Sequence, residues 1–283
     1  MKSYIPADSP FLTRDPRKDR WAIPYHFDCL NARIEVLLAD NADAVRGRRI
    51  LDLGSHIGTF AYAALTLGAR EVMGVDAETR AVDTCRGLFR EHQVPAASAH
   101  FLAADVFDFL EGIAENSFDT VFCFGLLYYT AEPYRLLKLM AHAARCTVIL
   151  DTFTAAFAAL AGKDASAVQE KLGDEALTLP LQIVSLTQPE KVDYRLPKTF
   201  TRRGRELSLM TLPTGSLLDI WFESLALRAR RLDWSAHITR AVSHHDLMTP
   251  EHKKASHWAD VYASGVRAAY RLDVKTAGSA GSG

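Results

Sequence analysis

Arg49-Ile50-Leu51-Asp52-Leu53-Gly54-Ser55-His56-Ile57-Gly58-Thr59-Phe60 decides the fold of this chain. Ile50 to Leu53 reads as a short apolar strand buried on both faces. Gly54 begins a sharp turn, and from Ile57 to Leu67 the chain is Ala-rich and helical, closed by Gly68. A strand, a glycine turn and a helix in succession aim the helix's first backbone N–H groups at whatever lies above the strand's C-terminal end. In an open α/β sheet that is where ligands bind. A phosphate-binding loop would end in Gly-Lys-Ser/Thr, which is absent. A dinucleotide fingerprint would read Gly-x-Gly-x-x-Gly, but here Gly54 and Gly58 flank His56. What stands is Asp-x-Gly-x-x-x-Gly, with an acid inside the end of the strand.

Working outward, the same unit repeats. Glu71 to Asp76 is a second strand ending in an acid, and Glu78 to Glu91 a helix. His100 to Ala104 is a third strand, running into Asp105-Val106. Asp76 lies roughly twenty residues beyond Gly54, where a carboxylate can take both hydroxyls of an adenosine ribose. Asp105 is placed to accept from an adenine amino group, with the Val106 N–H facing a ring nitrogen. Thr120 to Phe124 and Cys146 to Leu150 are the fourth and fifth strands, separated by a helix from Pro133 to Ala143. Before the first strand, Leu30, Ile34, Leu37 and Leu38 recur at helical spacing. Strands alternating with helices imply a parallel sheet covered on both faces.

The Asp52-to-Gly58 motif and the run Phe118 to Tyr128, FDTVFCFGLLY, are similar to those of the class I S-adenosylmethionine (SAM)-dependent methyltransferases. Within these the chain most resembles the tRNA uridine carboxymethyltransferase-like group, which has Gly-x-Leu-Tyr-His here. Tyr128 matches that tyrosine, and Tyr129 stands where the group has histidine. The resemblance covers about Phe27 to Asp151 and implies a Rossmann-like, seven-stranded, mostly parallel sheet with helices on both faces, its last strand antiparallel. It implies SAM as cofactor, held by Asp52, Gly54, Ser55, His56, Gly58, Asp76, Ala77, Asp105, Val106, Phe124 and Gly125. Arg267 falls where the group has an arginine. His56 departs from the pattern, which usually has glycine there; it narrows the pocket near the methionine moiety, acts chemically there, or packs.

The rest of the chain divides around this core. Residues 1–26 form a proline-rich arm with a charged, solvated run from Arg14 to Arg20, followed by Trp21, Tyr25 and His26, placed to cap a ligand site. Residues 27–152 are the SAM-binding core. Residues 153–212 are an inserted lid or substrate segment, helical up to Leu172 and then looser, carrying Arg195, Lys198, Arg202, Arg203 and Arg205. Residues 213–275 complete the sheet with a helix from Pro213 onward and strands at Leu227–Leu232 and Val266–Leu272. Residues 276–283 are a Gly/Ser/Ala tail.

Of 283 residues, 33 are basic and 34 acidic, a net charge of −1 that gives no general affinity for nucleic acid. Four scattered cysteines form neither a zinc knuckle nor a disulfide framework. No apolar run reaches the ~18 residues of a membrane span, and a cytoplasmic location fits. His244-His245-Asp246 with His252 and His257 uses metal-ligand types, but Pro250 interrupts it and no second cluster supports it, so no metal is assigned. The expected activity is methyl transfer to a small-molecule acceptor by in-line displacement. Tyr128, Tyr129, His26 and His245 are the candidates for positioning or proton removal. A tRNA-modifying (carboxy)methyltransferase, with Arg33 and Arg267 meeting the extra carboxylate, is the second reading, and a non-catalytic SAM-binding module the third. A nicotinamide oxidoreductase lacks its glycine pattern.

Overall fold

The computed structural model describes residues 2–15, 26–160, 173–187, 200–247 and 257–274. The strands are β1 (Arg49–Leu53), β2 (Glu71–Asp76), β3 (Ala99–Ala103), β4 (Phe118–Phe124), β5 (Ala144–Phe153), β6 (Gln182–Thr187), β7 (Phe200–Arg202), β8 (Arg205–Pro213), β9 (Leu227–Arg231) and β10 (Arg267–Val274). Seven of them form one sheet in the order β3-β2-β1-β4-β5-β10-β9. β1 to β5 pair in parallel, and β10 runs antiparallel to both β5 and β9. From β1 the chain winds outward to β3, then returns to β1's other side at β4. The strand order therefore reverses between β1 and β4, and an open sheet leaves a crevice there.

Helices cover both faces: α1 (Pro10–Thr13), α2 (Phe27–Leu37), α3 (Ala42–Val45), α4 (Thr59–Thr66), α5 (Thr79–Glu91), α6 (Val106–Glu111), α7 (Pro133–Ala143), α8 (Gly215–Ser224) and α9 (Asp260–Ala263). The strand period of two sorts side chains between two cores. Ile50, Phe122 and Ile149 join Leu30, Ile34, Ala61 and Leu88 on one face. Leu51, Leu53, Val121, Cys123, Val148 and Leu150 join Leu110, Leu136, Met140 and Phe222 on the other. Thr214 starts α8, its side chain accepting from the Leu217 N–H as an N-cap.

Two findings differ from the sequence reading. The N-terminal arm, expected to be solvated, is docked as far as it is described. Ile5, Phe11 and Leu12 are buried, Asn31 of α2 accepts from the N–H of Tyr4 and Ile5, and Phe11 stacks on Tyr62 at 4.3 Å. Even Asp15 of the charged run is buried, at 1% exposure. In the inserted region, read as loose after Leu172, β6, β8 and β7 form a three-stranded antiparallel sheet. β7 and β8 meet through Arg203-Gly204, both at positive φ (51° and 73°), between the paired Arg202 and Arg205. That is the left-handed, two-residue geometry whose twist matches a hairpin. Trp21, Tyr25, Arg195, Lys198, His252, residues 161–172 and the tail lie outside the described residues.

Among the described residues no helix is long and apolar enough to cross a membrane. Cys29, Cys85, Cys123 and Cys146 are free thiols.

Candidate functional site

The bend after β1 passes through three left-handed residues: Gly54 (φ 71°), His56 (φ 48°) and Gly58 (φ 81°). Gly58 is held to glycine by space as well, since a Cβ there would lie 2.4 Å from Cys85 Sγ. That closeness lets α4 pack on α5. His56 adopts the same backbone region with a side chain, a conformation costly for an L-residue. Its backbone N–H donates to Asp76 Oδ2 at 2.9 Å, and Asp76 Oδ1 accepts from the Glu78 N–H at 2.9 Å. The carboxylate ending β2 therefore braces the bend and the start of α5 together.

Asp52, Gly54, Ser55, His56, Thr59, Phe60 and Phe124 line a small cleft, part of it open to solvent. It sits at the β1/β4 reversal. Asp52 is 3% exposed, and among the described residues its Oδ2 and the buried Ser55 Oγ have no hydrogen-bond partner. Burial, reinforced by the charge of Asp76 and opposed by Arg33, pushes the Asp52 carboxyl up to about 8. A buried polar atom left without a partner is costly. A cationic, hydrogen-bonding group placed in the cleft would remove that cost.

Beside the cleft lies a second buried group. Asp151, near the end of β5, accepts from Arg33 Nε of α2 at 2.9 Å and from Arg267 Nε of β10 at 2.7 Å, with the Tyr262 hydroxyl at 3.3 Å. Burial alone would raise the Asp151 carboxyl, but the two guanidiniums outweigh it and hold it below the ordinary carboxylate range. Arg33 also lies over the Phe60 ring and Arg267 over Phe153, each at 4.7 Å. A Cβ at Gly125 (φ 83°) would come within 3.2 Å of Arg267 Nη2 and 3.3 Å of the Tyr128 hydroxyl oxygen. Glycine there leaves both polar groups room beside the chain that exits β4.

Tyr128 is buried in the short turn Leu127–Tyr129, tilted against Tyr129 (4.4 Å) and Phe153 (4.9 Å). Phe153 stacks on Phe157 at 4.1 Å. Met210 and Leu212 of β8 pack on this aromatic wall, so the inserted segment covers the sheet at that point.

Of the residues singled out from sequence, Asp52, Gly54, Ser55, His56 and Phe124 share the cleft, and Asp76 is tied to it through His56. Gly58 shapes the bend. Gly125, Tyr128 and Arg267 form the neighbouring group. Ala77 is exposed, Val106 half-buried, and Asp105 accepts from the Phe107 N–H at 2.8 Å as the N-cap of α6. His26 is exposed at the start of α2 without a side-chain cap bond. His245 meets Asp174 at 2.8 Å in a different cluster. Residues missed from sequence are Asp151, which the fold pairs with two distant arginines, and Thr59, Phe60 and Asp15. The Asp15 Oδ2 is 3.5 Å from His56 Nδ1. Nothing local marks Asp15, which sits in a run that reads as surface.

Residues 50–148 match the family described as "Methyltransferase domain". The chain is 36% identical over 89 residues to the tRNA U34 carboxymethyltransferase of Azotobacter vinelandii, covering 31% of this chain and 27% of that protein. It is 29% identical over 99 residues to the tRNA U34 carboxymethyltransferase of Campylobacter hominis, covering 33% and 31%. The match thus spans less than a third of the length of these relatives. Among solved structures, the N-terminal domain of EvdMO1, determined with SAH and D-fucose, superposes with a TM-score of 0.53 at 16% identity, over 97% of this chain and 100% of that one.

Proposed function

We propose, on the premise that residues 50–148 are a class I SAM-dependent methyltransferase domain, that the protein transfers a methyl group from SAM to a small-molecule acceptor in the cytoplasm. The observation that carries the cofactor half is the pair of buried, unpartnered atoms, Asp52 Oδ2 and Ser55 Oγ, in a cleft at the strand reversal. Those residues fit the cofactor's amino-acid end: Asp52 would take the ammonium, and the ion pair would keep the carboxylate charged. Asp76 would orient the ribose diol, and Asp105 with the Val106 N–H the adenine. Bound there, SAM supplies a methyl carbon already activated by its sulfonium.

The chain's remaining task is alignment and exclusion of water. Phe124, Tyr128, Tyr129 and Phe153 present aromatic faces where the acceptor would lie. Tyr128 would position it, with its hydroxyl held near Arg267 and Gly125. The net charge of −1 favours a small acceptor over nucleic acid.

A second reading, (carboxy)methyl transfer to tRNA, draws on the names of the two relatives. It also draws on the buried cluster in which two guanidiniums face one carboxylate, a surplus of positive charge that a cofactor carboxylate would offset. Incubation with methyl-labelled SAM or carboxymethyl-labelled carboxy-SAM, a low-mass metabolite fraction and bulk tRNA separates the readings. Label in a low-mass product is expected. Label retained with tRNA would overturn the small-molecule assignment, and saturable SAM binding with label in neither would point to a non-catalytic module.

A further inference from the structure

We infer that His244, His245 and Asp174 form a site for one divalent transition-metal ion of the imidazole-binding kind, such as zinc or cobalt. His245 Nε2 lies 2.8 Å from Asp174 Oδ1 and 3.0 Å from Oδ2, and His244 Nε2 lies 3.6 Å from the same Oδ1. One ligand atom from each residue falls within 4.8 Å of the others. In a tetrahedral zinc site with bonds of 2.0–2.1 Å, neighbouring donor atoms are about 3.3 Å apart. The three atoms here bracket that spacing, and side-chain shifts of about an ångström would bring them to it. Both imidazoles converge on the same carboxylate oxygen, as the ligands of a single ion do, with the two rings 4.1 Å apart.

The backbone holds this arrangement. His244–Leu247 is one 3-10 turn, fixed from below by fully buried Leu247 and at its start by Asp246, which accepts from the Ser243 N–H at 2.7 Å. The His244 side chain is largely buried while Asp174 is exposed, so the site opens to solvent on one side. Two imidazoles and one carboxylate select zinc, cobalt, nickel or copper over calcium or magnesium, which take oxygen ligands. They also leave coordination positions for water or a further ligand.

The site would join two segments 71 positions apart. The turn Ala155–Leu160, which carries Phe157 of the aromatic wall, packs against His244–Leu247. The ion would therefore fasten the inserted region to the C-terminal part of the chain, one layer out from the acceptor wall. Nothing in this assignment depends on the chemistry proposed for the cleft.

The full chain, stripped with EDTA and exchanged into metal-free buffer, is titrated with Zn(II) by calorimetry and with Co(II) by visible absorption. About one ion per chain is expected, with affinity falling roughly tenfold or more in each of Asp174→Asn, His244→Ala and His245→Ala, and unchanged in His142→Ala on α7. X-ray absorption of the zinc-loaded unmodified chain should show two imidazoles and keeps the test independent of how the variants fold. Binding that is equally strong in the three variants, a zinc shell without two imidazoles, or no saturation with either metal would overturn the site.

Discussion

Replacing Asp52 with Asn should make the ligand-free protein more stable at neutral pH while damaging cofactor binding. Asp52 is buried without a partner for Oδ2, and burial raises its carboxyl from 3.8 to about 8. Between those values the folded chain holds a proton that the unfolded chain has released. The associated stability is complete below about pH 4, falls as the pH rises, and is gone above about pH 8. The slope is about 1.4 kcal/mol per pH unit, so from pH 5 to pH 7 the Asp52 protein should lose about 3 kcal/mol that Asp52→Asn does not lose. Urea unfolding of both proteins at pH 5, 6 and 7 measures this. Other titrating groups are common to the two chains, so the difference between them isolates Asp52. The same variant should bind SAM roughly tenfold or more weakly, because a charged acceptor for the ammonium is missing. Unfolding curves that keep a constant separation from pH 5 to pH 7 would refute the reasoning.

Other outcomes follow from the same geometry. SAM binding at pH 7 should release a proton as Asp52 ionises beside the ammonium, giving a more exothermic calorimetric signal in Tris than in phosphate; equal heats would count against the pairing. Asp76→Ala should weaken SAM at least roughly tenfold, since it removes an ionised acceptor worth about 1.5–3 kcal/mol, and unchanged affinity in an equilibrium dialysis would remove the ribose assignment. His56→Val should cost at least about 1–2 kcal/mol in urea unfolding relative to His56→Gly, because a β-branched residue is forced into φ 48°; equal stability would show that the bend relaxes. Arg33→Met should cost about 3–5 kcal/mol by leaving a buried carboxylate with half its cationic partners, and thermal unfolding unchanged from the parent would contradict that.

The sheet was readable because its signals are local. Ile50 to Leu53, Glu71 to Asp76 and Thr120 to Phe124 are apolar runs of strand length closed by turn residues, and Gly54 and Gly58 mark the bend between strand and helix. The antiparallel last strand came from the resemblance rather than from any feature of Val266 to Leu272. The hairpin of β7 and β8 has a sequence signal, Arg203-Gly204 followed by the alternation of Glu206 to Leu209, but prolines nearby suggested a looser course. The Asp151 cluster was hidden because its partners are 118 and 116 positions away, so only the closed sheet brings them together. Asp174 escaped in the same way: the histidine pair was visible, and the carboxylate facing it was not. Asp15 reads as surface in a charged run, and it is buried with Phe11 and Leu12 in the docked arm, its N–H donating to the Leu12 carbonyl.

The acid-tipped ends of the first strands and the two-glycine bend should together bind one SAM molecule. Calorimetric titration of the unmodified chain with S-adenosylhomocysteine tests it most directly. One saturable site per chain is expected, displaced by SAM and untouched by NAD. No saturation, or equal displacement by NAD, would contradict it.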